Sequence, residues 1–184
     1  EKQVLTMSIN FVEEFDDKLE AYTGMLNQDY PEHHVRLWRS HFSPMYDIFG
    51  ELVVGDPIHG DLPFFNGEKI KGRIVIVERG VVPFVTKVRN AIHAGALGII
   101  IKDNWHCKED KDEWMHSQKC IVGSVYNNGD GWGQHDNPEA WAQAYIPTYF
   151  VTSMRGLNLT KIVERWEKHS DRDSPELSSD SLIV

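Results

Sequence analysis

The side chains of this chain that could do chemistry are nine histidines, an excess of carboxylates and two cysteines, and their spacing excludes most of that chemistry. The histidines are His33, His34, His41, His59, His93, His106, His116, His135 and His169. Only His33 and His34 are adjacent, and neighbours on a strand point to opposite faces, so no chelating pair arises there. There is no His-Glu-x-x-His, Gly-x-Ser-x-Gly or Walker-type loop, and no Gly-x-Gly-x-x-Gly after a strand. Residues Gly129 to Gly133 (GDGWG) resemble a calcium loop superficially, but their carboxylates miss the alternate ligand positions and no closing glutamate follows at the right distance. No metal and no cofactor is expected. Cys107 and Cys120 share one polar, loop-like stretch. A local disulfide there would contribute about 3 kcal/mol by loop closure. Two free thiols, or a site completed by His116, are the alternatives, although the spacing matches no standard zinc pattern.

The stretch that remains is Glu78-Arg79-Gly80-Val81-Val82, and its interest comes from the elements on either side. Arg73 to Val77 is an apolar β-branched run, read as a strand. Pro83 suits a first helical turn, where its missing N–H is of no consequence. From there Phe84, Val85, Val88, Ala91 and Ile92 recur at helical spacing, with Thr86, Arg89, Asn90 and His93 on the other face. Gly95 is placed for a left-handed cap, and Leu97 to Ile101 is apolar throughout, as a fully buried strand would be. The segment is therefore a β-α-β unit. Its first turn sits at a helix N-terminus, where free N–H groups favour carboxylates and carbonyls, and Arg79 would add a charge-assisted bond to an acidic or C-terminal group. Arg79 merely bracing the turn is the competing reading.

Elsewhere, Phe11, Val12, Phe15, Leu19, Tyr22 and Leu26 lie among acidic residues at spacing that predicts an amphipathic helix over 8–26, entered from a short strand at 4–7. Val35 to Arg39 and Glu51 to Val54 read as strands, and Gly55 to Gly67 as a turn-rich approach to the central unit. Trp105 to Tyr145 carries four tryptophans, among them Trp105 and Trp132, which either anchor a long insertion or contact a ligand. Thr152 or Ser153 is a candidate cap for a helix from Met154 to about Lys168, which contains the sequon Asn158-Leu159-Thr160. The acidic tail 169–184 is expected to be disordered.

A net charge of −9 argues against nucleic acid and anionic membranes as partners, and no apolar run is long enough to span a bilayer. A length of 184 residues suits one domain with its own core. The chain begins Glu1-Lys2-Gln3, which fits a mature chain after signal-peptide removal and equally a trimmed one.

Several of these motifs together resemble the protease-associated (PA) domain. They are the strand ending in Glu78-Arg79-Gly80, the Phe84-x-x-Lys87-x-x-x-Ala91 helix, Gly95-Ala96, the strand ending in Asp103-Asn104, and Ile146-Pro147 before the last strand and helix. Val82 stands where that family often has a cysteine, so a disulfide of the family type at this turn is absent. The resemblance implies an α+β fold of the swivelling β/β/α type, with a sandwich or barrel core flanked by helices. On that reading residues 1–34 are an added N-terminal helical extension, 35–168 the PA domain with an insertion at about 105–145, and 169–184 the tail. It also implies a non-catalytic protein of the secretory route or endosomal lumen, a setting in which the disulfide between Cys107 and Cys120 and a glycan at the Asn158 sequon, both read from the residues themselves, are expected. In PA domains of plant vacuolar sorting receptors the equivalent turn helps bind cargo peptide. The expected contact residues for a protein or peptide are therefore Glu78, Arg79, Gly80, Val81 and Val82, joined by Asp103, Asn104, Trp105 and Trp132. A carbohydrate-binding module using the tryptophans, and a small hydrolase using His and acidic residues of the insertion, are the rival expectations.

Overall fold

The computed structural model describes residues 4–16, 19–27, 34–39, 43–44, 47–104 and 145–172. Seven strands close into a barrel in the order β1-β2-β3-β7-β6-β5-β4. They are β1 (Thr6–Asp16), β2 (Leu19–Leu26), β3 (His34–Arg39), β4 (Ile48–Val54), β5 (Ile74–Glu78), β6 (Gly98–Lys102) and β7 (Thr148–Val151). Strands β4 to β7 pair in parallel and the remaining pairs are antiparallel. Among the described residues three helices accompany the barrel: the single turn α1 (Gly67–Ile70), α2 (Phe84–His93) and α3 (Ser153–Arg172).

The period of two along each strand divides the core into two layers. Ile74 and Ile76 of β5, Ile100 of β6, and Tyr149 and Val151 of β7 point inward, meeting Leu5 just before β1, Met7 and Ile9 within it, and Leu159 and Val163 of α3. Their neighbours Val75, Val77, Ile99, Ile101 and Phe150 point outward and are covered by Phe84, Val88 and Ala91 of α2. Buried on both faces, β5 and β6 have no polar alternation, which is why they read as unbroken apolar runs. They pair directly, Ile74 opposite Gly98 through Glu78 opposite Lys102, so α2 is the crossover of a parallel β-α-β unit, as the sequence predicts.

Pro83 takes the cap position rather than the first helical one, with its carbonyl accepting from Thr86 N at 3.0 Å. At the other end Gly95 (φ +80°) donates to Ile92 O, and Ala96 N to Ala91 O, which is the Schellman arrangement that a left-handed glycine permits.

The N-terminal helix expected over 8–26 is corrected. Those residues form the hairpin β1–β2, and the extension is part of the barrel wall instead of a helix laid upon it. Leu5, Met7 and Ile9 do alternate as a strand requires, but register shifts between Phe11 and Glu13 and between Glu14 and Asp16 break the period of two. Those irregularities spread the following apolar residues to spacings that mimic a helix. Pairing to β4 and β3 then overrides the local pattern, because without this hairpin the barrel would stay open. Helix α3 runs four residues past the expected Lys168, to Arg172.

Candidate functional site

The turn after β5 is built on a buried ammonium. Lys87 lies one helical turn after Phe84, so the face of α2 that packs on the barrel carries a lysine. Its side chain is fully buried, and Nζ donates to His59 O at 2.5 Å, Glu78 O at 2.8 Å and Gly80 O at 2.7 Å. Three donors meet three carbonyls from two segments, which fixes the end of β5 against the loop that follows β4. Glu78 N donates to Ile58 O at 2.7 Å, tying the same two segments again.

From this anchor the backbone turns sharply. Gly80 has φ +110° and Val81 φ +74°, and Val82 N donates to Gly80 O at 2.9 Å. That bond closes a three-residue γ-turn of the strained hand, with a β-branched residue at its centre. A Cβ on Gly80 would stand 3.1 Å from the Asn104 amide nitrogen, so Asn104 packs beside the turn where only glycine leaves room. The Val81 side chain, 69% exposed, is the tip.

Arg79 is not the tip. Its side chain is 0% exposed and turns inward, with Nη1 3.5 Å from Asp103 Oδ1 and the guanidinium 5.6 Å from the centre of the Phe84 ring. Asp103 Oδ2 accepts from Ser153 Oγ at 3.0 Å, and Arg79 N donates to Lys102 O at 2.9 Å. The pair therefore joins β5, β6 and the start of α3. The expectation of an arginine presented to a partner is corrected: Arg79 follows Glu78, which faces half outward, and strand alternation sends the next side chain the other way. Glu78 sits at the rim, 3.9 Å from His59 Nε2; both are partly exposed, so this pair contributes little.

The structure thus brings together Glu78, Gly80, Val81, Val82 and Asn104 around the turn, with Arg79 and Asp103 buried beneath it. Trp105, Trp132, Cys107 and Cys120 lie outside the described residues. Asn158 is half-buried in α3, far in sequence from the turn, and Leu159 and Thr160 of its sequon are buried. Among the described residues no three or more His, Cys, Asp or Glu side chains are grouped as a metal would require. Nor, among them, is any helix long and apolar enough to cross a membrane. The role of Lys87 is signalled only indirectly by its sequence position, as a lysine on an otherwise apolar helical stripe. The left-handed Val81 has no sequence signal, since valine is among the residues least suited to that conformation.

A family model described as the PA domain matches residues 48–159, from β4 into α3. The chain belongs to the PA domain family. Its turn, buried lysine and parallel crossover all lie inside the matched region, whereas the β1–β3 strands that close the barrel lie before it. A zinc aminopeptidase from Bacillus subtilis is similar in structure, at 17% identity and a TM-score of 0.47, covering 85% of this chain and 30% of its own. An aminopeptidase from Aneurinibacillus sp. strain AM-1 is similar at 18% identity and a TM-score of 0.48, covering 89% of this chain and 31% of its own. This chain spans about 30% of the length of those enzymes. No curated protein sequence matches it.

Proposed function

We propose that this PA domain is a non-catalytic module that binds a protein or peptide through the exposed Gly80–Val82 turn. One observation carries the reading: a branched side chain is held in a strained backbone conformation, at the surface, by a fully buried lysine. Strain of this kind costs about 1–3 kcal/mol and persists only where surrounding structure enforces it, typically at ligand clamps and switch segments. Arg79 and Asp103 act in this scheme as the floor that keeps the turn in place, and Glu78 and Asn104 as its polar flanks. A preformed turn loses little entropy on association, which favours a partner that reads its shape. The Trp-rich insertion, Trp105 and Trp132 included, would extend the surface, and the PA resemblance favours a secretory or endosomal lumen as its setting.

The test is affinity capture from a secretory-pathway lumen extract with wild type and with Val81→Asp, a change at an exposed position that leaves the floor intact. The reading expects at least one partner to be lost from the variant. Equal recovery of every partner removes the turn from the binding surface, and hydrolysis of peptide, ester or glycoside substrates by the purified chain would overturn the non-catalytic part.

A further inference from the structure

Two lysines and the most exposed aromatic side chain among the described residues lie at the other end of α2. There a groove of about 720 Å³ runs between the segment 63–71 and the C-terminal half of the helix. Phe64 and Phe65 form one wall, Asn90 and His93 the other, and Lys69 and Lys71 stand along it. Phe65 is 76% exposed, the highest value for any large apolar side chain among the described residues. In a chain of net charge −9, Glu68 is the only acidic residue lining this groove, against two lysines and a histidine.

The walls are tied in place rather than loosely apposed. Asn66 Nδ2 donates to Val54 O at 2.8 Å while its Oδ1 accepts from Asp56 N at 3.0 Å, and Phe65 N donates to Asp56 O at 2.7 Å. On the helix side Asn90 Nδ2 donates to Gly60 O at 2.8 Å, and on the loop side Arg73 Nη1 donates to Lys69 O. A concave surface fixed in this way needs no reorganisation to accept a ligand.

We infer that this groove is a second interaction surface, one that takes an extended acidic peptide carrying a single aromatic anchor. The anchor would lie against the exposed ring of Phe65, beside Phe64 whose ring packs on the core, and carboxylates on either side would face Lys69 and Lys71. Two lysines beside an aromatic wall suit a short peptide better than a polyanion, which needs a long basic track. The inference does not depend on the turn, which lies at the N-terminal end of α2.

The probe is the acetylated, amidated hexapeptide Glu-Asp-Phe-Glu-Asp-Leu, titrated into the ¹⁵N-labelled chain and followed by amide shifts. Saturable shifts are expected at residues 65–71 and 90–94. Phe65→Ala, and separately Lys69→Glu with Lys71→Glu, should each weaken binding by at least about fivefold, since exposed charge pairs and one aromatic contact are worth that much. All three positions are exposed, so the variants are expected to fold. The inference is overturned if the groove amides do not shift or the variants bind like wild type. It also fails if the peptide with lysines replacing its acids, or with alanine replacing phenylalanine, binds as tightly.

Discussion

Replacing Val81 by glycine should stabilise the chain, the reverse of the usual effect of a glycine substitution. The strain of a left-handed β-branched residue is about 1–3 kcal/mol, and glycine removes it. Against this, glycine widens the unfolded ensemble by about 0.4–1 kcal/mol. The valine side chain is 69% exposed, so its lost burial is a fraction of one side chain, about 0.5 kcal/mol. Taking the middle of each range, Val81→Gly should gain about 0.5–1 kcal/mol. Val82→Gly is the matched control: Val82 is half-buried and is not left-handed, so the same change there has no strain to relieve and should lose about 1–2 kcal/mol. Urea unfolding of the three proteins, extrapolated linearly with a common slope, measures the difference. If both glycine variants are destabilised to the same extent, the turn stores no strain, and the argument from strain to binding fails.

Three further outcomes follow from the buried groups and from barrel closure. Lys87→Met removes three charge-assisted bonds and strands three carbonyls, and should cost about 2–4 kcal/mol in the same assay after allowing for the recovered desolvation. Lys87→Arg should not rescue it, because a flat guanidinium cannot place its donors on three convergent carbonyls. Arg79→Ala leaves the Asp103 carboxylate buried beside Ser153 and should cost about 3–5 kcal/mol, whereas Arg79→Met combined with Asp103→Leu should recover most of that in a double-mutant cycle. Deleting residues 1–27 removes β1 and β2 and opens the sheet at β3 and β4, so the truncated chain should show no sharp urea transition; a cooperative one would show that the hairpin is dispensable.

The central unit was legible because each of its signals is local. β5 and β6 are uninterrupted β-branched runs, α2 has a periodic apolar face, and Gly95 marks its end. The N-terminal hairpin was not, because two register irregularities erase the alternation and its partners, β3 and β4, are supplied by later sequence. At the turn after β5 the sequence marks the end of the strand but not the direction of its arginine. Arginine next to a glycine at a strand end suggests an exposed charge, whereas strand alternation turns it inward, where Asp103 at the end of the neighbouring strand meets it. Lys87 was visible as a motif letter, yet its role depends on His59, Glu78 and Gly80 carbonyls, which no side-chain pattern encodes.

Recognition through the turn requires its strained shape to exist before any partner arrives. Solution NMR of the free chain tests this at one residue. A left-handed Val81 gives a strong intraresidue NOE between its amide and α protons, and the Val82 amide, bonded to Gly80 O, should exchange slowly. A weak NOE of the extended type at Val81, with a freely exchanging Val82 amide, would contradict the account.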